Sequence, residues 1–291
     1  MGYQFLGPSY AAQLRDAGFA ICPLPYDATA SYGVGARNGP ARIIEASQQL
    51  ELFDEELETE PYEAGIHTMP PVEMPIEPHK AKELCQNKAR ELFDQEKIPI
   101  FIGGDHSISI GIIEAASNIF DRLTVLQLDA HTDMRDEYQG TRLSHACVAR
   151  RAMERCRVVQ AAVRSSSKEE WDLLKKMNAL PITAALIKRG LKGATDSILA
   201  RIETENLYIT IDVDCLDPSV MPATGTPEPG GLDWYELTYI IREATKRHRI
   251  VGFDVVELAP IPGLHYPEFT CARLIYKVIG YIIHATGSMA R

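Results

Sequence analysis

Residues 123–133 read "LTVLQLDAHTD", an apolar run that gives way to two aspartates and a histidine. The run has the length and composition of a strand buried on both faces. Asp129, His131 and Asp133 occupy alternate positions, and alternate residues of a strand face the same side. Carboxylates and imidazoles at the end of a buried strand are costly unless a cation holds them. The segment therefore predicts a buried strand with a cation site at its carboxyl end.

Short apolar runs alternate with longer helical patterns through the rest of the chain. The strand candidates are 19–24, 98–103, 123–129, 157–163, 180–187, 207–213 and 249–258, and the helix candidates are 40–50, 79–96, 107–118, 143–155, 168–178, 193–204, 233–247 and 270–285. This alternation predicts an α/β fold with a mostly parallel sheet covered by helices. The proline-rich stretch 67–79 is expected to be a loop rather than a boundary, so residues 1–291 are interpreted as a single domain.

Composition excludes several classes of function. The net charge is −10 and no Lys/Arg-rich block is present, which disfavours nucleic acid as a partner. The six cysteines form no CxxC pair, which argues against a disulfide framework and a zinc knuckle. Residues 274–287 are apolar but too short to span a bilayer and are interrupted by Lys277. With no visible signal peptide, we expect a cytoplasmic enzyme without membrane contact.

Three further segments place polar residues directly after a predicted strand. They are "GGDHS" (103–107), "IDVDC" (211–215) and "FDVVEL" (253–258). Each alone is compatible with an ordinary turn or a solvated strand end. All four segments, however, fall at the carboxyl ends of predicted parallel strands, where open α/β sheets bind their ligands. Together they predict a metal site at one edge of the sheet.

The types of side chain restrict the metal. Carboxylates with a minority of imidazoles and no thiolate favour Mn²⁺ or Mg²⁺ over structural zinc. Six side chains are too many for one octahedral ion that also holds water, so two ions sharing carboxylates fit better. Four aspartates would neutralise two divalent ions, and a cationic substrate would suit such a site.

The motifs, taken together, resemble the arginase/agmatinase (ureohydrolase) family, and bacterial and archaeal agmatinases in particular. The resemblance extends in order over nearly the whole chain and rests on "YDATASYGVGARNGPARIIEAS" (26–47), "GGDHSISIG" (103–111), "DAHTDMRDEY" (129–138), "SHACVARR" (144–151), "IDVDCLDPSVMPATGTPEPGGL" (211–232) and "VVELAP" (255–260). It implies a three-layer αβα sandwich around a mainly parallel eight-stranded sheet. It also implies assembly into homotrimers or homohexamers.

The resemblance further implies two Mn²⁺ ions and the hydrolysis of a guanidinium to urea and an amine. The first ion would be held by His106, Asp129, Asp133 and Asp212. The second would be held by Asp129, His131, Asp212 and Asp214, so that two aspartates bridge the ions. Asp133 would thereby belong to the catalytic groups as well as to the ligands.

Three more residues match functional positions of the family. Glu257 matches the acid that binds the guanidinium, His145 matches a proton-shuttling histidine, and Thr226 lies in a Gly/Pro-rich loop expected to contact the substrate. Considered without the resemblance, Glu257 is equally compatible with a strand-end salt bridge. His145 is then compatible with an ordinary helix start, and Thr226 with a plain turn.

The loop 134–144 is the expected selector of the substrate. Asp136, Glu137 and Tyr138 favour an ammonium tail, and hence agmatine, which would give putrescine and urea. Arg135 and Arg142 instead favour 4-guanidinobutyrate, and aminopropylagmatine or free guanidine remain open. A metal-dependent amide deacetylase would be expected to lack the motifs "GTPEPGG" (225–231) and "VVELAP" (255–260). A non-catalytic metal-binding homologue would be expected to lose a ligand or His145.

Overall fold

The computed structural model of the protein describes residues 3–289, which form one eight-stranded sheet. The strands lie in the order β2-β1-β3-β8-β7-β4-β5-β6, and every neighbouring pair is parallel. They are β1 Phe19–Leu24, β2 Ile66–Thr68, β3 Ile98–Gly103, β4 Leu123–Leu128, β5 Arg157–Val163, β6 Ile182–Thr183, β7 Asn206–Asp212 and β8 Arg249–Val256. The predicted parallel α/β sheet is therefore confirmed.

Helices cover both faces of this sheet. They are α1 Gly39–Ser47, α2 Pro78–Asp94, α3 Ile108–Ile119, α4 Val148–Ala152, α5 Lys168–Lys176, α6 Ala184–Arg189, α7 Leu191–Leu199, α8 Trp234–Arg247 and α9 Tyr266–Met289. Alternate strand residues enter two separate cores: Ile21 belongs to the core that includes residues of α1, α7, α8 and α9, whereas Cys22 belongs to the core that includes residues of α2, α3 and α4. The expected three-layer αβα sandwich follows from this alternation. None of the helices in residues 3–289 is long and apolar enough to cross a membrane.

The strand prediction is wrong at the two edges of the sheet. Of the predicted strand 180–187, only Ile182–Thr183 is extended, and α6 begins at Ala184. The hydroxyl of Thr183 accepts a hydrogen bond from the backbone of Leu186, so this residue caps a helix of good helix formers. At the opposite edge, β2 covers three residues that the sequence analysis did not assign to a strand. Edge strands this short leave little periodic signal.

One helix prediction also needs correction, close to the candidate site. The predicted helix 143–155 is a 3₁₀ turn at His145–Cys147 followed by the short α4. Ser144 caps the turn, since its hydroxyl accepts a hydrogen bond from the backbone of Ala146 at 3.4 Å. His145 is therefore presented by a tight turn rather than by a regular helix.

Candidate metal centre and active-site cavity

Four adjacent strands bring the predicted polar residues to one edge of the sheet. In sheet order they are β3, β8, β7 and β4. His106 and Glu257 follow β3 and β8, Asp212 ends β7, and Asp129 follows β4. The carboxyl ends of neighbouring parallel strands meet at the same edge, so the convergence predicted from the four motifs is a property of the topology.

The predicted reason for the alignment of Asp129, His131 and Asp133 is wrong. Strand β4 ends at Leu128, so His131 and Asp133 lie in the loop that follows. Asp133 adopts a left-handed backbone conformation with φ 48°. Strand alternation therefore does not account for the position of Asp133, although His131 still forms an isolated parallel bridge with Ser165.

His106 lies at the centre of the carboxylates. Its Nδ1 atom is 3.2 Å from Asp129 Oδ2, 3.1 Å from Asp133 Oδ2 and 3.4 Å from Asp212 Oδ2. The side chain is buried, and Nδ1 has no hydrogen-bond partner among the described residues. An unpartnered buried nitrogen facing three carboxylates is the arrangement that a metal ion would satisfy.

A second group of ligand atoms adjoins the first. His131 Nδ1 lies 2.9 Å from Asp214 Oδ2 and 3.7 Å from Asp129 Oδ1. The ligand atoms of His106, Asp129 and Asp212 lie within 4.8 Å of one another, and so do those of Asp129, His131 and Asp214. The six predicted side chains are thus together, and Asp129 belongs to both groups. Asp212 belongs to the first group alone, and Asp133 belongs to neither group, although its Oδ2 atom lies 3.1 Å from His106 Nδ1.

Hydrogen bonds from the protein orient the carboxylates. Asp129 accepts from the backbone of His131 at 2.6 Å and from the amide of Gln127 at 2.7 Å. Gln127 in turn accepts from Gln160 on the adjacent strand β5 at 3.0 Å. Asp212 accepts from the backbone of Asp214 at 2.9 Å. These partners fix the carboxylates in position independently of any bound ion.

The electrostatics of the cluster indicate a deficit of positive charge. Burial opposes a charge on His106, but the close carboxylates of Asp129, Asp133 and Asp212 outweigh it and raise its pKa well above the usual value. Burial likewise opposes a charge on His131, yet Asp214 and Asp129 raise its pKa to about 11. Burial and the neighbouring Asp129 raise the pKa of Asp133 to about 7. The cluster therefore retains protons, and a metal ion would compete with them.

A cavity of about 320 Å³ opens over this cluster. All three predicted catalytic and substrate-binding residues outside the ligand set, His145, Thr226 and Glu257, lie in its wall. The remaining lining is mainly polar and comes from five segments, at the carboxyl ends of β1, β3, β4, β5 and β7: Ser31, His106, His131, Thr132, Asp133, Arg135, Tyr138, Ala146, Ser165, Ser166, Ser167, Glu170, Asp212 and Asp214.

Glu257 is held in a strained but well-anchored conformation. Its φ is 68°, and its backbone N–H donates to the carbonyl of Gly104 at 2.7 Å. Oε1 accepts a hydrogen bond from the backbone of His106 at 2.7 Å. Burial, followed by the charge of Asp105, raises the pKa of Glu257 well above its usual value. Among residues 3–289 Glu257 forms no salt bridge, so the alternative interpretation as a strand-end ion pair is not supported.

His145 borders the cavity with both ring nitrogens near hydroxyl groups. Nδ1 lies 3.4 Å from Thr29 Oγ1 and 3.3 Å from Ser144 Oγ, and Nε2 lies 3.5 Å from Ser31 Oγ. The ring of Tyr138 meets the imidazole edge-on, with centroids 5.7 Å apart. Burial lowers the pKa of His145. The imidazole is therefore mainly neutral near pH 7 and available to accept a proton.

In the loop 134–144, the charged side chains that face the cavity are not the ones expected from the sequence. Asp136 and Arg142 pair with each other at 3.1 Å, and Asp136 also pairs with Arg151 at 2.6 Å. Neither residue lines the cavity, and neither does Glu137. Arg135 does line it, with its guanidinium carbon 4.9 Å from the centre of the Tyr138 ring. The expectation that Asp136 and Glu137 select an amine is therefore not supported, because neither residue lines the cavity.

Sequence reasoning missed Arg164, which ties two site loops together. Its guanidinium donates to the carbonyls of Asp214 and Glu228, both at 2.7 Å, and to that of Leu216 at 3.2 Å. It thus joins the turn that carries Asp214 to the loop that carries Thr226. The only sequence signal is a cation at the end of the apolar run "VVQAAVR" (158–164).

Known proteins are similar in sequence to most of this chain. Residues 17–280 match the Arginase family. An N(1)-aminopropylagmatine ureohydrolase of Synechocystis sp. is 38% identical over 288 residues, which are 96% of this chain and 93% of that protein. An agmatinase of Pyrococcus horikoshii is 33% identical over 270 residues, covering 92% of this chain and 93% of that protein.

A solved structure extends the likeness to three dimensions. The agmatine ureohydrolase of Thermoplasma volcanium superposes with a TM-score of 0.91 at 25% identity, covering 99% of this chain and 97% of that one. The family match, the two relatives and the superposed structure all indicate the same family. The chain therefore belongs to the arginase family of ureohydrolases.

Proposed function

We propose that the protein hydrolyses a guanidinium compound to urea and an amine, with two Mn²⁺ ions held by His106, Asp129, His131, Asp133, Asp212 and Asp214. The observation that carries the proposal is the orphaned Nδ1 atom of buried His106, which faces three carboxylates beneath a polar cavity. Oxygen-rich ligands with two imidazoles and no thiolate fit manganese. When bound, the ions would supply a water molecule of lowered pKa.

Glu257 is proposed to bind the guanidinium. One carboxylate oxygen is fixed by the backbone of His106, whereas Oε2 accepts no hydrogen bond within residues 3–289. A carboxylate held on one side offers its other oxygen to the planar fork of a guanidinium. The raised pKa of Glu257 reflects burial and the nearby charge of Asp105, and a bound guanidinium would favour the charged form of Glu257.

His145 is proposed to move the proton that the leaving amine requires. It lies in the cavity wall, and burial keeps it neutral at neutral pH. A neutral imidazole can take up a proton in one step and deliver it in the next. Thr226 is proposed to contact the substrate, since it lines the same cavity next to Gly225.

The proposed substrate is agmatine, with putrescine and urea as products, which would connect the enzyme to polyamine biosynthesis. N(1)-aminopropylagmatine is the second candidate, because a 38% identical relative carries that name. The cavity wall also includes the polar residues Ser165, Ser166 and Ser167, which are proposed to contact a longer amine.

Incubation with Mn²⁺ and a panel of guanidine compounds, scored for urea, tests the proposal. The panel contains agmatine, N(1)-aminopropylagmatine, 4-guanidinobutyrate, arginine and guanidine. We expect the wild type to release urea from agmatine, N(1)-aminopropylagmatine or both. The His145→Gln variant should release urea at a much lower rate. Absence of urea from every compound, in enzyme that carries metal, would reject the proposed activity.

The remaining expectations also stand as proposals. We propose that residues 1–291 form a single ureohydrolase domain, that the protein acts in the cytoplasm, and that it assembles into homotrimers or homohexamers. Light scattering of the purified protein would measure the assembly directly.

A further inference from the structure

Thr29 connects the loop after β1 to both the buried Asp105 and the catalytic candidate His145. Thr29 is buried, and its backbone N–H and hydroxyl lie 2.9 and 3.0 Å from Asp105 Oδ2. The contact depends on Gly104, because a Cβ atom there would lie 1.9 Å from the carbonyl oxygen of Tyr26. Only glycine allows the loop to approach this closely.

The hydroxyl proton of Thr29 is committed to Asp105. The backbone and side chain of Ser107 also donate to Asp105, so this carboxylate receives hydrogen bonds from four donors and acts as an acceptor. A hydroxyl has one proton and two lone pairs. Once the proton points at Asp105, Thr29 Oγ1 can only accept from other neighbours.

Two nitrogen atoms of His145 lie close to this oxygen. Its backbone N–H donates to Thr29 Oγ1 at 3.0 Å, and its Nδ1 atom lies 3.4 Å from the same oxygen. An oxygen that can only accept favours a proton on Nδ1. In a neutral imidazole the lone pair then lies on Nε2, which is beside Ser31 at the cavity wall.

We infer that Asp105 and Thr29 act as positioning residues that hold neutral His145 in the Nδ1–H tautomer, with Nε2 as the atom that exchanges the substrate's proton. The inference rests on the proposed function for the role of His145 in the reaction, but the tautomer itself does not depend on it. When Nε2 takes up a proton, the resulting imidazolium keeps its Nδ1–H on Thr29. In a Ser-His-Asp triad, the aspartate likewise orients the catalytic histidine through the ring nitrogen that does not exchange the proton.

Ser144 offers the competing arrangement. Its Oγ lies 3.3 Å from His145 Nδ1, and its own proton is not committed to another acceptor among the described residues. If Ser144 donated to Nδ1, the proton of the neutral imidazole would reside on Nε2 instead. The two possibilities predict opposite tautomers and are therefore separable by experiment.

Nitrogen-15 spectra of the histidine side chains provide the test, recorded on the full-length protein with diamagnetic Mg²⁺. The His145 signals are assigned by their disappearance in His145→Gln. We expect the wild type to show a protonated Nδ1 and an unprotonated Nε2. Thr29→Val should shift His145 toward the Nε2–H form, Thr29→Ser should retain the wild-type form, and Ser144→Ala should leave it unchanged. An Nε2–H tautomer in the wild type overturns the inference outright.

Steady-state kinetics with Mn²⁺ supply the second readout. Thr29→Val should lower kcat by about 10-fold to 100-fold, part of the roughly 100-fold to 10,000-fold that proton transfer contributes, with little change in KM. Thr29→Ser should restore kcat to within about threefold, which separates a lost hydroxyl from a damaged fold. Equal kcat values for the valine and serine variants overturn the inference. Failure of the wild type to release urea would instead reject the proposed function, while the spectra would still decide the tautomer.

Discussion

The Nε2 atom of His106 lies 2.8 Å from the hydroxyl oxygen of Thr210, and this contact determines which ring nitrogen faces the carboxylates. Thr210 donates its one proton to Asp254 at 2.6 Å, so it accepts from Nε2–H. Nδ1 of neutral His106 is then unprotonated and free to bind a cation. The chain Asp254–Thr210–His106 thus has the same order as Asp105–Thr29–His145. In the proposed function, the first histidine would bind a metal ion and the second would exchange a proton.

Thr210→Val should weaken metal binding without unfolding the protein. The substitution preserves shape in the strand but removes the acceptor that fixes the His106 tautomer. Loss of such an outer partner typically costs about 10-fold to 100-fold in metal affinity. Competition with a chelator of known affinity would measure the change in Mn²⁺ dissociation constant.

Thr124→Val provides a matched control for that experiment. Thr124 is also a buried strand threonine, and its hydroxyl bonds to Thr204 rather than to any site residue. Its variant should bind Mn²⁺ as the wild type does. Equal weakening in both variants would show that the Thr210 effect is general loss of packing.

Asp129→Asn and Asp212→Asn should lose metal, whereas Asp105→Asn should retain it. The first two remove charges that lie within 3.4 Å of His106 Nδ1, while Asp105 contacts Thr29 and Ser107 instead. Elemental analysis after dialysis would give the stoichiometry, and anomalous scattering at the manganese edge would locate the ions. A metal content in Asp105→Asn as low as in the other two would contradict the ligand assignment.

The sequence was sufficient to predict the centre of the sheet and the edge that carries the site. The runs 98–103 and 157–163 match β3 and β5, because strands covered on both faces are predominantly apolar. The ligand cluster could be inferred because carboxylates gathered at the ends of buried strands are costly unless a cation binds them. The edges could not be predicted, since β6 has two residues and its position depends on pairing with β5.

Parts of the site were also beyond prediction from the sequence, for a different physical reason. Thr29 and Asp105 are 76 positions apart, and their hydrogen bond depends on how two loops pack. Asp136 reads as an acid in the substrate loop, yet three arginines from the same region draw it away from the cavity. Which of several nearby charges faces a cavity is decided by such competing ion pairs, and residue type alone does not encode the outcome.

The pair Lys277–Asp54 predicts a stability effect far from the site. Both side chains are buried, 2.8 Å apart, and Lys277 also reaches Glu56 at 2.9 Å. Removing one partner of a buried pair costs about 3–5 kcal/mol. In Asp54→Asn, Lys277 keeps Glu56 as a charged partner. We therefore expect the substitution to lower the free energy of unfolding by about 2 kcal/mol, within the range for a buried polar group that loses a hydrogen-bond partner. Urea denaturation at pH 7 measures this, and an unchanged midpoint would contradict it.

Glu56 gives the same network a dependence on pH. Burial opposes the charge of Glu56, but hydrogen bonds from Lys277, Tyr281 and Arg242 outweigh it and lower its pKa. A lowered pKa means that the stabilisation is complete above the unfolded value of about 4.3 and is lost as the pH falls through the folded value. Wild-type stability should therefore drop more steeply than that of Glu56→Gln below about pH 4. Parallel curves for the two proteins would exclude a role for Glu56.

Arg135 leads to a prediction about substrate preference. It lines the cavity, makes no ion pair among the described residues and rests on Tyr138, so an ammonium tail would meet like charge there. The side chain is exposed, so screening limits the repulsion to well below the roughly 4 kcal/mol of two charges 4 Å apart at an effective dielectric of 20. Arg135→Gln should therefore raise kcat/KM for agmatine by only about twofold to fivefold, and lower it for 4-guanidinobutyrate.

Asp136→Asn is the control for that comparison, because Asp136 lies outside the cavity and pairs with Arg142 and Arg151. Its variant should keep the wild-type ratio of kcat/KM values for agmatine, 4-guanidinobutyrate and arginine. If Asp136→Asn changed this ratio more than Arg135→Gln did, the acid would have to reach the substrate, and the ion pairs that hold it outside would have to open during turnover. A preference unaffected by either substitution would place the selection at other residues of the cavity wall, such as Ser165–Ser167 and Glu170.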